Sequence, residues 1–559
     1  MTANFDLGID GTARFVDRSA QFSVADQLRK TARTDPDRQA IVDLKRERSV
    51  TYAELDERTD RLASSLLDLG VEFEVGSVAI VAENRLETIE LAHACAKVGA
   101  LLAPLNWRLE RDELVHCADL IEPDILVVSD RFREKVDWIV EDGVADPLIV
   151  DYDSDDESGG VAESDRDDDR SFELLRENGD PDEARLERIV DPEQGFAVIN
   201  TSGTTGLPKG AVVSHRAELA RSNQVAQDFG LERGDNYVGW GPIFHMGGLD
   251  WIVTMAALGG TYYVVDGFEP EAILDSLTDS ERPIAWLFLV PGMIEPLCDH
   301  IEDTDLDATD LPPIRTMGAL ADILDPALVA RVTTLFDTPF QNTYGSTEAG
   351  HATSGNQLPI GVEPDDELLR KRESPNCAID LDIDGYGGDN RGEMLVRGPS
   401  LFSGYLDNSE ANREAFEDGW YHTGDVFERH DDGTYSYLNR TKYLIKSGGE
   451  NIYPAELEEV LESHDRVAKA VVVKTDDPTW GEVPRALVGV EDTLDGDEDR
   501  DTLRKELLGL CEGRLARYKL PHYIEFVDPD RFPISGTGKV ARPEIEEWPR
   551  SEDARVRGE

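Results

Sequence analysis

Apolar positions along the chain follow two periods that keep trading places. Thr51-Tyr-Ala-Glu54 sets a hydroxyl three residues before a carboxylate, the spacing of a capping box, and Leu55, Leu62, Leu66 and Leu69 follow on one face until Gly70. A helix ending at Gly70 is predicted. SVAIVA (77–82) then reads as a strand, and the next stretch, with Leu86, Ile89 and Ala96, as a helix stopped by Gly99. This βα rhythm runs through most of the length and predicts an α/β architecture. From about Asn439 the pattern shortens to α+β, with KAVVVK (469–474) and RALVGVE (485–491) as strands around a second, smaller core. DYDSDDESGGVAESDRDDDR (151–170) has almost no apolar content and reads as a solvated linker.

Composition narrows the function classes. The 559 residues include 116 Asp and Glu against 56 Lys and Arg, a formal charge of -60. Nucleic acid and anionic membrane surfaces are excluded as main partners, because both require clustered cations. With 40% hydrophobic residues the chain should nonetheless fold. A charge of this size repels itself at low ionic strength, whereas at about 1 M salt the Debye length falls to about 3 Å. A high-salt cytoplasm is therefore the expected setting. Cys95, Cys117, Cys298, Cys377 and Cys511 lie far apart without ligand spacing, which argues against a disulfide framework or zinc site. The start, MTANFDLGIDGTARF, has no basic region followed by an apolar one, and AWLFLV (285–290) is too short to span a bilayer. The expected location is cytoplasmic.

The densest chemistry lies in Thr201-Ser-Gly-Thr-Thr-Gly-Leu-Pro-Lys-Gly210, between the strand-like runs FAVIN (196–200) and AVVS (211–214). Gly203, Gly206 and Gly210 let the backbone turn its amides toward one point, the hydroxyls add donors, and Lys209 adds a compact positive charge. That combination is a phosphate cradle. It is not a GxxxxGK[ST] loop, and a strand rather than a helix follows it, so a P-loop NTPase is disfavoured.

TSGTTGLPKG resembles the signature loop of the AMP-forming acyl-CoA synthetases, the adenylating superfamily that includes firefly luciferase and nonribosomal peptide synthetase adenylation domains. FHMGGL (244–249), TYGSTE (343–348), WYHTGD (420–425), RTKYLIKSGGENIYPAELE (440–458), ARYKLP (516–521) and GTGK (536–539) match that family in order over almost the whole chain. With the charge balance, the resemblance points to a haloarchaeal member. It implies an α/β fold: a large N-terminal domain (1–439) of two doubly wound α/β subdomains plus a small β-barrel, and a smaller mobile α+β C-terminal domain (440–559), with the active site between them.

The resemblance also implies roles for particular residues. Thr201, Ser202, Gly203, Thr204, Thr205, Gly206 and Lys209 would hold the β- and γ-phosphates of ATP. Glu348 would bind Mg2+, Tyr344 stack on adenine and Thr347 meet the α-phosphate. Asp425 and Arg440 would hold the ribose, Gly318 and Ala319 lie beside adenine and the acyl chain, and His245 orient the carboxylate. Lys539 would serve adenylation and Lys446 thioester formation, the small domain rotating about Lys442 to exchange them. Gly448 and Gly449 would line the passage for the pantetheine arm of CoA. Some positions depart from the family pattern: Met317 stands where glycine is common, Asn439 and Tyr443 where Gly or Asp and Asp are usual, and Asn200 where an aromatic is common. The Gly-x-Val-Gly-x-Pro segment is not recognisable between Gly350 and Arg391, RKRESPN (370–376) standing near its place.

The expected function is an ATP-dependent acyl-CoA ligase releasing AMP and pyrophosphate. A medium- or long-chain fatty acid is the favoured substrate, because FHMGGLD and WIVTMAALGG resemble fatty-acid ligases most. An aryl acid (cinnamate-type or 2-succinylbenzoate), an enzyme loading a carrier protein, and a non-catalytic acidic binding protein stand as alternatives. The expected partners are a small carboxylic acid, ATP and CoA, with no nucleic acid and no membrane span, and a homodimer is left open.

Overall fold

A computed structural model describes residues 21–556, apart from 144–146, 153–169, 183, 202–206, 305, 307, 321–324, 385, 387–389, 448–449, 478–479, 491–493, 495, 516 and 535–539. The linker expected at 151–170 therefore falls almost wholly outside the described residues. The chain forms two units, Met1–Ala378 with Val396–Tyr421, and Ile379–Leu395 with His422–Glu559.

In the first unit, local sequence acts as its pattern predicts. The Thr51 hydroxyl accepts from the Glu54 backbone N–H, and the Glu54 carboxylate accepts from the Thr51 N–H at 2.8 Å, starting the helix Tyr52–Asp68. Helix Leu86–Val98 is buried on every side and ends where Gly99 turns left-handed, at φ 67°. Its buried charges are paired: Lys97 lies 2.7 Å from both Asp56 and Asp60, and Glu90 is 3.1 Å from Arg58 and from Arg176.

Six parallel strands lie in the order Arg170–Ser171, Leu148–Asp151, Ile125–Val128, Ser77–Val81, Leu101–Pro104, Gly195–Thr201. The chain enters at the central strand, steps to one side and then to the other, which is doubly wound topology. Helices Arg111–Ile121 and Arg133–Asp142 bury Leu114, Cys117, Val136 and Ile139 against Ala79, Val81, Leu126 and Val128. The alternate residues Val78, Ile80, Ile125 and Val127 are buried too, so both faces are covered. Beyond Gly195–Thr201 the strand Lys209–Ser214 runs antiparallel, followed by Gly404–Tyr405.

A second parallel set comprises Gln39–Asp43, Tyr262–Val264 and Tyr237–Gly239, linked through bridges at Ile284 to Leu287–Phe288, Met317–Leu320 and Phe340–Ser346. Leu287, Met317, Val329, Phe336 and Phe340 belong to its core. Strand Gly350–Gly355 turns back antiparallel to Phe340–Ser346, and the turn between them carries Thr347 and Glu348.

The second unit holds the shorter α+β pattern. Gly481–Val490 pairs antiparallel with Val467–Asp477 and parallel with Tyr523–Val527. Ile445–Ser447 and Glu450–Ile452 extend the sheet, and Leu457, Leu461, Leu503 and Leu507 cover it.

All five cysteines are unpaired thiols, four of them buried and Cys377 half-buried. Burial pushes Cys117 and Cys377 up to about 12, and Cys298 and Cys511 up to about 11, while Cys95 is raised by the same cause. Among the described residues no helix is long and apolar enough to cross a membrane.

Candidate active site

The glycine-rich loop is carried by the hairpin Gly195–Thr201 and Lys209–Ser214, in which Thr201 faces Lys209 and its hydroxyl donates to the Lys209 carbonyl at 3.4 Å. A strand follows the loop, as the sequence predicts. Ser202, Gly203, Thr204, Thr205 and Gly206 lie outside the described residues. Strand Gly404–Tyr405 pairs with Ala211 and Val212 of the same hairpin and brings in a residue that sequence reasoning missed. The Lys209 ammonium sits 5.0 Å from the centre of the Tyr405 ring, and the Tyr405 hydroxyl donates to Glu348 Oε1 at 3.0 Å. Lysine, phenol and carboxylate are thus held in a row. Burial, with the Glu348 carboxylate adding to it, holds the Tyr421 hydroxyl well above its usual range.

Two polar side chains at this end are buried without a hydrogen-bond partner among the described residues: both amide atoms of Asn200, at the root of the loop, and the hydroxyl of Thr343, at the start of TYGSTE. Orphaned donors beside a lysine and a carboxylate fit a polyphosphate with its divalent cation.

A Cβ on Gly318 would stand 2.3 Å from the Gln341 carbonyl oxygen, so the position requires glycine, and Ala319 is buried beside it. Met317, in place of a further glycine, turns its side chain into the core with Leu287 and Phe340. Tyr344 is buried on Phe340–Ser346, and Thr347 and Glu348 are half-buried on the turn. His245 is the N-cap of helix Met246–Leu258, and its ring meets Phe244 edge-on at 4.7 Å. Burial, and then the Arg108 cation, pull its imidazole down to about 4. The segment leading into it is fixed by Asn84, which donates to the carbonyls of Gly241 at 2.8 Å and Val265 at 3.1 Å and accepts from the Ile243 N–H at 3.1 Å.

An aromatic wall stands beside these groups. Trp240 stacks on Phe288 (5.2 Å, 9°), Phe288 meets Trp286 at 4.9 Å, Trp286 stacks on Trp251 (5.6 Å, 26°), and Trp251 on Tyr237 (4.2 Å, 5°). Cβ atoms on Gly241 and Gly247 would lie 3.8 and 4.0 Å from the Phe288 ring, and one on Gly318 would lie 2.8 Å from the Trp286 ring nitrogen.

In the second unit Asp425, 2 % exposed, faces Arg440 across an antiparallel pair, and the Arg440 guanidinium reaches its carboxylate at 3.0 Å. The Arg440 N–H donates to the Asn439 side chain at 2.8 Å. Tyr443, where an aspartate is usual, packs under two cations, Lys442 at 4.7 Å and Arg542 at 5.4 Å. Lys446 is exposed on Ile445–Ser447, its backbone N–H held by the Glu482 carboxylate at 2.8 Å. Gly448, Gly449 and Lys539 lie outside the described residues.

The model of the AMP-binding enzyme family matches residues 28–406, and that of the AMP-binding enzyme C-terminal domain matches 456–539. An indoleacetate–CoA ligase of Aromatoleum aromaticum is 33% identical over 510 residues, covering 89% of this chain and 93% of its own length. A 2-succinylbenzoate–CoA ligase of Bacillus cereus is 30% identical over 525 residues, covering 93% and 97%. The o-succinylbenzoate CoA synthetase of Bacillus subtilis with its acyl-adenylate superposes with a TM-score of 0.76 at 25% identity, over 94% of this chain and 99% of that one. The same protein with ATP and magnesium ion gives 0.75 at 25% identity, over 93% and 99%. Fold and relatives together define an AMP-forming acid–thiol ligase with a large N-terminal and a smaller C-terminal domain. The chain belongs to the AMP-binding enzyme family, within the adenylate-forming superfamily.

Proposed function

We propose that the chain joins an aryl-bearing carboxylic acid to the thiol of CoA through an acyl-adenylate. The observation that carries the substrate class is the stacked wall of Trp240, Phe288, Trp286, Trp251 and Tyr237 beside Gly318 and His245. Phe288 is the half-buried member of this otherwise buried stack, and a planar ring is favoured beside it, because offset and edge-on aromatic pairs gain about 0.5–1.5 kcal/mol beyond the area they bury. The acids named for the relatives, indoleacetate and 2-succinylbenzoate, support the same choice. A medium- or long-chain fatty acid stays as the second reading, on the strength of FHMGGLD and the segment after it.

In the first half-reaction a carboxylate oxygen bonds to the α-phosphorus while the bond from that phosphorus to the bridging oxygen of the β-phosphate breaks, and pyrophosphate leaves. Anions must be brought together, so positioning and charge neutralisation do most of the work. In this reading Thr201, Ser202, Gly203, Thr204, Thr205, Gly206 and Lys209 hold the outer phosphates and Thr347 the α-phosphate. Tyr344, Gly318 and Ala319 hold the adenine, and Asp425 with Arg440 the ribose. Glu348 would hold Mg2+, which would supply further neutralisation of phosphate charge. Tyr405 keeps Glu348 aimed, His245 orients the carboxylate as a neutral ring, and Lys539 stabilises charge developing at the α-phosphate. In the second half-reaction the CoA sulfur bonds to the acyl carbon, the acyl–oxygen bond breaks, AMP leaves with the electron pair and the thiol proton is released. Lys446 and the Gly448–Gly449 passage serve this step, the small domain beginning at Arg440 and turning about Lys442. The charge of -60 supports a high-salt cytoplasm as the setting.

A hydroxamate-trapping panel in molar KCl tests the reading, with indoleacetate, 2-succinylbenzoate and cinnamate against octanoate and palmitate. Aryl acids should give the fastest trapping, and adding CoA should consume thiol in step with AMP release. A preference for palmitate would overturn the aryl class. Acyl-adenylate accumulating beside untouched CoA would favour a carrier-protein acceptor, and absence of carboxylate-dependent ATP–pyrophosphate exchange would leave a binding protein.

A further inference from the structure

Helix His215–Asp228 carries a buried cluster that no step above uses. Arg221 is 0 % exposed. Its Nη2 donates to the Thr347 carbonyl at 2.8 Å and its Nε to the Ser400 carbonyl at 2.9 Å. Its Nη1 has no hydrogen-bond partner among the described residues and lies 3.9 Å from Asp250 Oδ1, which is likewise unbonded. One turn earlier Glu218, also 0 % exposed, has no donor to either oxygen and interacts with Asp250. Burial and then Asp250 hold the Glu218 carboxyl far above its usual range, and burial also pushes Asp250 up while Arg221 pulls it back.

The bonds around Arg221 form a brace. Three successive carbonyls of the TYGSTE turn are each held from outside: Thr347 by Arg221, Glu348 by the Phe402 N–H at 2.9 Å, and Ala349 by the Ser400 hydroxyl at 3.3 Å. Arg221 alone among these binds both the turn and the 400–402 segment. Gly350, at φ +67°, makes room for it, since a Cβ there would stand 2.8 Å from Arg221 Nε. The counter-ion comes from the helix that His245 caps.

We propose that Arg221 is a positioning residue for adenylation: it fixes the turn that carries Thr347 and Glu348, with Asp250 of the acyl-side helix as its counter-ion. This rests on the reading of Thr347 and Glu348 as nucleotide ligands. A turn whose backbone is already fixed loses little freedom when two side chains close on a triphosphate, and a loose one must be ordered at the moment of binding.

The test is calorimetric titration of the full chain with MgATP in molar KCl, beside the KM of the acid chosen by the panel and thermal melting. Arg221→Met should weaken MgATP at least tenfold and change the KM of the acid less than twofold. Arg221→Lys, which keeps the charge but reaches one carbonyl, should recover most of that loss. Glu218→Gln should stay within twofold throughout, because a neutral amide replaces a neutral acid. If Arg221→Met does not fold, Arg221→Lys carries the test with a threefold weakening confined to MgATP. MgATP affinity within twofold of wild type in the folded Arg221 variants, or equal losses for MgATP and acid, would overturn the proposal. Glu348→Gln separates the two levels: if it weakens MgATP while the Arg221 variants do not, the inference fails alone, and if it too has no effect, the nucleotide reading fails.

Discussion

Burial keeps the His245 ring neutral at pH 7. Burial and the Arg108 guanidinium bring its imidazole to about 4 from an ordinary 6.5. At about 1.4 kcal/mol per pKa unit, that favours the uncharged ring by about 3 kcal/mol. At pH 6 about 1% of the folded protein would carry the charged ring, against about three-quarters for an imidazole in water. The ring can thus offer one N–H and one lone pair beside the proposed acyl site but no cation to hold the carboxylate back from the phosphorus. His245→Gln keeps a donor and an acceptor. Adenylation kcat/KM, followed by pyrophosphate release from pH 5 to 8, should lose height in this variant but keep its shape. Stability should move with a defined sign: the unfolded chain takes up the proton near 6.5 and the folded chain near 4, so the native state loses up to about 3 kcal/mol as pH falls through that window and nothing above it. Other buried histidines contribute their own slopes, so the difference between wild type and variant isolates this one. An inflection in adenylation kcat/KM between pH 6 and 7 that disappears in His245→Gln would mean a charged ring and would refute the burial argument.

Other outcomes follow from other parts of the molecule. Lys539→Ala should depress adenylation far more than thioester formation from supplied acyl-adenylate, and Lys446→Ala should do the reverse; equal losses in both half-reactions would contradict the division of roles. Gly318→Ala puts a methyl 2.3 Å from the Gln341 carbonyl and 2.8 Å from the Trp286 ring nitrogen, so its denaturation midpoint should fall by the equivalent of about 1–3 kcal/mol, and an unchanged midpoint would show that the strand yields. The unfolding midpoint should rise steeply between about 0.1 M and about 2 M KCl as screening relieves self-repulsion, and equal stability at both would remove the high-salt inference.

What could be read from the sequence was local. The Thr51–Glu54 capping box, the Gly99 stop and the two strands around the glycine loop are set by neighbours within a few residues, and the structure has each of them. The resemblance linked Asp425 to Arg440, and the structure sets them 3.0 Å apart on facing strands. Tyr405, Asn84 and Arg221 were illegible for the opposite reason. Tyr405 reaches Glu348 across 57 residues, Asn84 holds a segment more than 150 residues on, and Arg221 reaches Thr347 across 126 residues. Each is an ordinary polar residue in its own neighbourhood and gains its role from tertiary placement. The aromatic stack was illegible in the same way, because Trp240, Trp251, Trp286 and Phe288 are drawn together from separate segments.

The buried thiols have a practical bearing. A sulfhydryl held near 11 or 12 is ionised to about one part in ten thousand or less at neutral pH, so it is a poor target for maleimides and does not capture oxidised thiol compounds as mixed disulfides. Cysteines introduced at Ile360 and Trp480, which are 43% and 47% exposed and belong to different units, would therefore accept fluorophores against a silent native background, and energy transfer between them would test the rotation proposed above without deleting a single natural cysteine.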